Sequence, residues 1–213
     1  MLHRVQAGAA TGPLLLADIS GYTSFLQAVS EAHRDDAFAD GRVPDAYGLV
    51  ASLIDGIVER ITPPFTLSKL EGDAVFAFAR DDDEAFPRGS ALLHCLAACY
   101  SAFRERLAGA REVWACRCDA CIRVDSLELK FVLHAGSYVV QSVAGGRELV
   151  GSEVVLAHRL LKNHAADLIG HGASAHITEA AASRLGVPAD GARELTESYE
   201  HYAPVAVRVY ALR

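Results

Sequence analysis

Two short stretches decide the fold: Leu14 to Leu26, LLLADISGYTSFL, and Lys69 to Phe78, KLEGDAVFAF. In the first, an apolar run behind Pro13 ends at Asp18 and reads as a buried strand, with the turn at Ser20-Gly21. Phe25, Leu26 and Val29 follow at helical spacing and predict a helix from Tyr22 to His33. In the second, Phe65 to Leu70 and Ala74 to Ala79 read as two short strands, joined by Glu71-Gly72-Asp73, which suits a tight hairpin. Each stretch carries one aspartate, at a strand end or a hairpin tip, where the backbone holds a side chain firmly yet leaves it open to a ligand.

Residues 1–12 are small and polar and are expected to be a loose N-terminus. Asp35 to Asp45 is charged, contains Gly41 and Pro44, and reads as a loop. Tyr47 to Ile61 keeps a 3.6-residue apolar period over four turns, which predicts an amphipathic helix stopped by Pro63-Pro64. Asp81 to Glu84 is read as the acidic start of a helix running to about Leu107. Leu127 to His134 alternates as a strand, Ala135-Gly136 is expected to break it, and Tyr138 to Val143 to return as its partner. Gly145-Gly146 is a turn, Ser152 to Ala165 a helix, Ala175 to Thr178 a short strand, and Ala180 to Leu185 a short helix. Val205 to Leu212 closes the chain as an alternating strand. The expectation is one α/β domain over residues 13–213, with an antiparallel-rich sheet because hairpins dominate the connections.

Asp18 and Asp73, brought together, would repel unless a positive charge lay between them. Mg²⁺ (or Mn²⁺) suits such a place, because it accepts one or two carboxylates and fills its shell with water and phosphate oxygens. The plain alternative is that Asp18 caps the following helix and Asp73 is a turn residue.

Four blocks in order carry a family resemblance. LLLADISGYTSFL resembles the opening strand of class III adenylate and guanylate cyclases, and KLEGDAVFAF is similar to their Lys-x-x-Gly-Asp hairpin. LKFVLHAG (Leu129 to Gly136) resembles a later core strand ending in His-x-Gly. LVGSEVVLAHRLLKN (Leu149 to Asn163) is similar to a helix of pattern Gly-x-x-Val-Asn-x-Ala-x-Arg, and HRLLKN resembles a signature of an uncharacterised bacterial branch. The resemblance spans residues 14–163. It implies a ferredoxin-like nucleotidyl cyclase fold and conversion of ATP to cyclic AMP and pyrophosphate between two subunits of a homodimer. An inactive nucleotide-binding or regulatory module is the alternative.

Residue by residue, the resemblance assigns Asp18 and Asp73 to metal, with the carbonyl of Ile19 as a further ligand. It places the turn Ser20, Gly21, Tyr22 and Thr23 near the phosphates. Lys69 and Glu148 would read the purine edge, and Arg159 would stabilise charge at the transferring phosphorus. The family's ribose-orienting Asn, four residues after the Gly, is Val155 here, which cannot hydrogen-bond. Arg159 shares a helix face with Val155 and has a plain alternative as a salt-bridged surface residue.

The composition sets outer bounds. The chain has 213 residues, 51% of them apolar and 22% charged, the usage of a globular domain and not of a disordered tail, a collagen or a coiled coil. The net charge is −7, so there is no overall basic footprint for nucleic acid. A phosphate ligand would need local positive charge from a metal, Lys69 and Arg159. No apolar run is long enough for a membrane span, and the N-terminus has no signal-like apolar core. The expectation is a cytoplasmic protein. No pattern of a zinc protease, an α/β-hydrolase or a Walker NTPase is present.

Five cysteines make a disulfide framework unlikely in such a chain. Three of them sit in WACRCDAC, as Cys116, Cys118 and Cys121. Cys-x-Cys-x-x-Cys brings three thiolates within reach of one soft metal, and zinc wants a fourth ligand, from Cys95, Cys99, a nearby His or a second subunit. The alternative is a reduced loop with some of these thiols packed as small hydrophobes. Cys95 and Cys99 lie one turn apart on an apolar helix and read as core.

Overall fold

In the computed structural model, which describes residues 7–35, 41–114, 116–143 and 146–212, the chain is organised around one central pair of strands. β1 (Ala7–Ser20) runs antiparallel to β4 (Glu128–Val143) over its whole length, from Ala7 opposite Gln141 to Ser20 opposite Glu128. On its other side β1 pairs with β3 (Ala74–Phe78), the second arm of a hairpin that begins with β2 (Thr66–Glu71). β5 (Gly146–Val150) folds back on the far end of β4. Beyond β4 come β6 (Ser174–Thr178), β8 (Val205–Ala211) and β7 (Arg193–Glu197). Among the described residues, eight strands form one sheet in the order β2-β3-β1-β4-β6-β8-β7, with β5 on the β4 edge, and of these pairs only β4 and β6 run parallel.

The side-chain alternation of β1 explains the two layers. Leu15, Ala17 and Ile19 face a core closed by α1 (Tyr22–Ala32), α2 (Asp45–Ile61), α3 (Ser90–Val113) and α6 (Glu179–Leu185). Leu14 and Leu16 face a second core with Phe76, Phe78 and Val132, closed by α4 (Ser152–Arg159) and α5 (Ala165–Ile169). A strand covered on both faces is apolar at every position, which is why LLLA carries no polar alternation.

Several expectations need correction. Residues 7–12 are not loose; they form the first half of β1, and residues 1–6 lie outside the described residues. Ala135-Gly136 does not break the strand into a hairpin, since β4 runs straight through it. Gly136 lies opposite Gly12, and the Glu153 side chain occupies the space a Cβ on Gly136 would need. The acidic run Asp81 to Glu84 forms turns, with the Ala85 amide bonded to the Asp83 carboxylate, and α3 begins only at Ser90, behind Pro87 and Gly89. The helix from Ser152 ends at Arg159 instead of Ala165, because Asn163 diverts the chain, donating to the Leu160 carbonyl and accepting from the Ala165 amide. β5, β7 and the 3-10 turn Cys121–Ser126 are additions to the expected order. The middle of the expected Asp35–Asp45 loop, residues 36–40, and Gly145 of the expected turn lie outside the described residues.

Candidate functional site

Asp18 is the last-but-two residue of β1, opposite Ala74 on one side and Lys130 on the other. The hairpin between β2 and β3 is a two-residue connection, since Glu71 pairs with Ala74 and only Gly72 and Asp73 lie between. Gly72 takes φ +68°, a conformation glycine adopts without steric cost. The tip is tied to β1 by a bond from the Ile19 amide to the Asp73 carbonyl at 3.2 Å. Asp18, Ile19 and Asp73 are therefore neighbours at one end of the sheet.

The electrostatics of this end are uneven. Burial pushes the Asp73 carboxyl above its ordinary value; a bond to its own backbone opposes the shift, and the charge of Asp18 adds to it. Asp18 has a cation of its own, with Lys130 Nζ 3.5 Å from its Oδ2 and donating at 2.8 Å to the Leu161 carbonyl. Sequence reasoning missed Lys130. Its signal was a lysine in the middle of a buried strand, LKFVLH, where a cation is costly without a partner.

Ser20 to Thr23 forms the turn into α1. Gly21, at φ +87°, is its N-cap, with no side chain capping the first turn, so backbone N–H groups at that end are open to a ligand acceptor. Ser20 and Gly21 border a cleft of about 380 Å³ that also reaches Lys130, Asn163, His171 and His176.

Lys69 and Glu148 meet in a separate group. Lys69 Nζ lies 3.0 Å from Glu148 and 3.2 Å from Glu71, and these contacts, the Glu148 bond first, raise its pKa. Glu71 also accepts from His158 Nε2, at 2.8 Å to Oε2. His158 Nδ1 lies 2.7 Å from the Val154 carbonyl. Both ring nitrogens face acceptors, an arrangement that favours the doubly protonated ring. The bond to Glu71 raises the His158 pKa and lowers that of Glu71.

Arg159 joins neither group. Its Nη1 donates to the Glu200 carbonyl at 2.7 Å, and its guanidinium lies 5.5 Å from the Tyr202 ring centroid. Val155 is 49% exposed, one turn earlier on α4. Cys116, Cys118 and Cys121 converge, all as free thiols, and His33 joins them. Cys99 is apart on α3, buried, with its thiol pushed up to about 12 by burial.

Among curated proteins, "Uncharacterized protein Rv2561/Rv2562" of Mycobacterium tuberculosis is 34% identical over 117 residues, covering 54% of this chain and 51% of the relative. The chain thus spans about half the length of that relative. Among solved structures, the adenylyl cyclase CyaB of Pseudomonas aeruginosa superposes with TM-score 0.61 at 16% identity, over 98% of this chain and 97% of that one. A class III adenylyl cyclase-like ATP-binding protein from Pseudomonas aeruginosa superposes with TM-score 0.59 at 15% identity, over 85% of this chain and 36% of that one. These structures establish the class III nucleotidyl cyclase fold. Residues 50–167, more than half of the chain, match the family described as "Protein of unknown function (DUF2652)", and the chain belongs to that family.

Proposed function

We propose that this chain is a cyclase-like module that binds a nucleoside triphosphate, with Mg²⁺ held by Asp18, Asp73 and the Ile19 carbonyl. The observation that carries the reading is the pair of aspartates fixed side by side at the end of β1, with Asp73, among the described residues, making no ion pair like that of Asp18 with Lys130. Such an all-oxygen donor set fits Mg²⁺ or Mn²⁺. When bound, the ion neutralises phosphate charge and acidifies a metal-facing hydroxyl. The amides of the Ser20–Thr23 turn are oriented to receive phosphate oxygens, and Lys130 adds positive charge beside them. Glu148 offers an acceptor and Lys69 a donor for a purine edge. The neighbour described as an ATP-binding cyclase-like protein supports ATP as the ligand.

A homodimer is part of this reading. Leu70, Val150 and Val155 are 52%, 41% and 49% exposed, on β2, β5 and α4 around the Lys69–Glu148 pair. An apolar rim of that kind suits a second copy that would bring one subunit's purine-reading pair to the other's aspartates.

Turnover to cyclic AMP is the second reading, favoured by Arg159 standing on the α4 face the resemblance assigns to it. Its engagement with Glu200 and Tyr202, together with the apolar Val155, favours binding without turnover. Incubation with ATP or GTP and Mg²⁺ or Mn²⁺, followed by assay for cyclic nucleotide and for a thermal shift, tests both readings. Stabilisation without product supports the binding module, and product supports the cyclase. Neither stabilisation nor product would remove both, because a ligand bound only by the folded state must stabilise it.

A further inference from the structure

We propose that His33, Cys116, Cys118 and Cys121 form a closed structural zinc site, one that the nucleotide reading does not use. His33 Nε2 lies 3.3 Å from the Cys121 sulfur, 3.4 Å from that of Cys118 and 3.7 Å from that of Cys116. All four ligand atoms fall within 4.8 Å of one another. Tetrahedral zinc, with Zn–S of about 2.3 Å and Zn–N of about 2.0–2.1 Å, sets an N···S edge of roughly 3.5 Å. The three distances bracket that edge.

Hydrogen bonding to His33 alone does not account for the group. One ring nitrogen carries a single proton or a single lone pair, so it can serve one sulfur, not three. Disulfide pairing would leave one thiol over, and all three are free. A soft divalent ion at the centre satisfies every member at once.

The surroundings fit as well. The Cys121 amide donates to the Cys118 sulfur at 3.5 Å, the kind of supporting bond that orients a metal-bound thiolate. Trp114, 7% exposed, packs against Phe25 of α1 beside the loop, with ring centroids 6.5 Å apart. Three sulfurs and one imidazole select zinc over magnesium or calcium, and four protein ligands leave no open position for a substrate. The ligands come from two places far apart in sequence. His33 is the C-cap of α1, and the cysteines lie between α3 and β4. The ion therefore pins the far end of the helix whose near end is the Gly21 turn beside Asp18.

The test is elemental analysis of the full chain purified without chelator. One zinc per chain is expected, and no zinc above trace would overturn the proposal. Cobalt exchanged into the same protein is expected to give thiolate-to-metal charge transfer and the intense visible bands of a tetrahedral site. A weak octahedral spectrum would contradict it. His33→Ala and Cys118→Ser are expected to lose the metal, His33→Cys to keep it, and Cys95→Ser to keep it. Full zinc in a protein with Cys116, Cys118 and Cys121 all changed to Ser would also overturn the proposal. Because the readout is bound metal, it is independent of whether ATP binds.

Discussion

Asp18 and Lys130 face each other across the β1–β4 ladder, with Lys130 Nζ 3.5 Å from Asp18 Oδ2 and anchored by the Leu161 carbonyl. The lysine supplies part of the charge that a bound cation would supply, and it does so for Asp18 more closely than for Asp73. Lys130→Met leaves Asp18 part-buried without its close cation. The apo protein is expected to lose about 1–3 kcal/mol. Added Mg²⁺ should restore more of the melting temperature in the variant than it adds to the wild type. Thermal melts with and without Mg²⁺ read both effects, and an equal Mg²⁺ response in the two proteins would contradict the assignment.

The Glu71–His158 pair makes stability fall on the alkaline side. His158 has a pKa raised above 6.5, so its contribution is complete below 6.5 and is lost as pH rises through the folded value. Glu71 has a pKa lowered below 4.5, so its contribution is present above 4.5 and lost as pH falls through its folded value. As pH rises from 6.5 through the folded value of His158 the melting temperature is expected to decline, and Glu71→Gln should flatten that decline. An unchanged slope in the variant would show that the pair does not titrate in this way.

Gly12 is held for lack of space. A Cβ there would come 2.1 Å from the Ala79 carbonyl oxygen. The backbone on either side is fixed by bonds from Ala79 to the Pro13 carbonyl and from Asp81 to the Thr11 carbonyl, so it cannot easily yield. Gly12→Ala is expected to cost about 2–4 kcal/mol by denaturant melt. A loss below about 0.5 kcal/mol would mean that β1 and the 79–81 segment separate more freely than they are packed.

Val155→Asn places an amide where the cyclase resemblance puts the ribose-orienting side chain. If the rest of the site is competent, cyclic AMP formation is expected to rise about tenfold or more over the wild type, the yield of one well-placed transition-state hydrogen bond. No gain, with ATP binding retained, would locate the deficit at Arg159, whose guanidinium is held by Glu200 and Tyr202.

How much of this was legible in the sequence depended on the range of the interactions. β1, α2 and the Gly72-Asp73 hairpin were readable because local periodicity and turn chemistry specify them. The unbroken β4 was not, since what keeps Gly136 in a strand is Gly12 opposite it and Glu153 above it, both distant in sequence. Lys69 and Glu148 do meet. Their joining to His158 through Glu71, and the pairing of Lys130 with Asp18, depend on strand register that no local pattern encodes. The cysteine trio was visible as a motif, but its partner His33 arrives from 83 to 88 residues away.

Mg²⁺-dependent nucleotide binding at Asp18 and Asp73 is read out by calorimetric titration of ATP into the full chain, with and without Mg²⁺. Saturable binding with Mg²⁺ is expected, weakening at least about tenfold, or about 1.4 kcal/mol, when Mg²⁺ is withheld or when Asp73 is changed to Asn. Binding of equal strength in all three titrations, or no binding to the wild type with Mg²⁺ present, would contradict it.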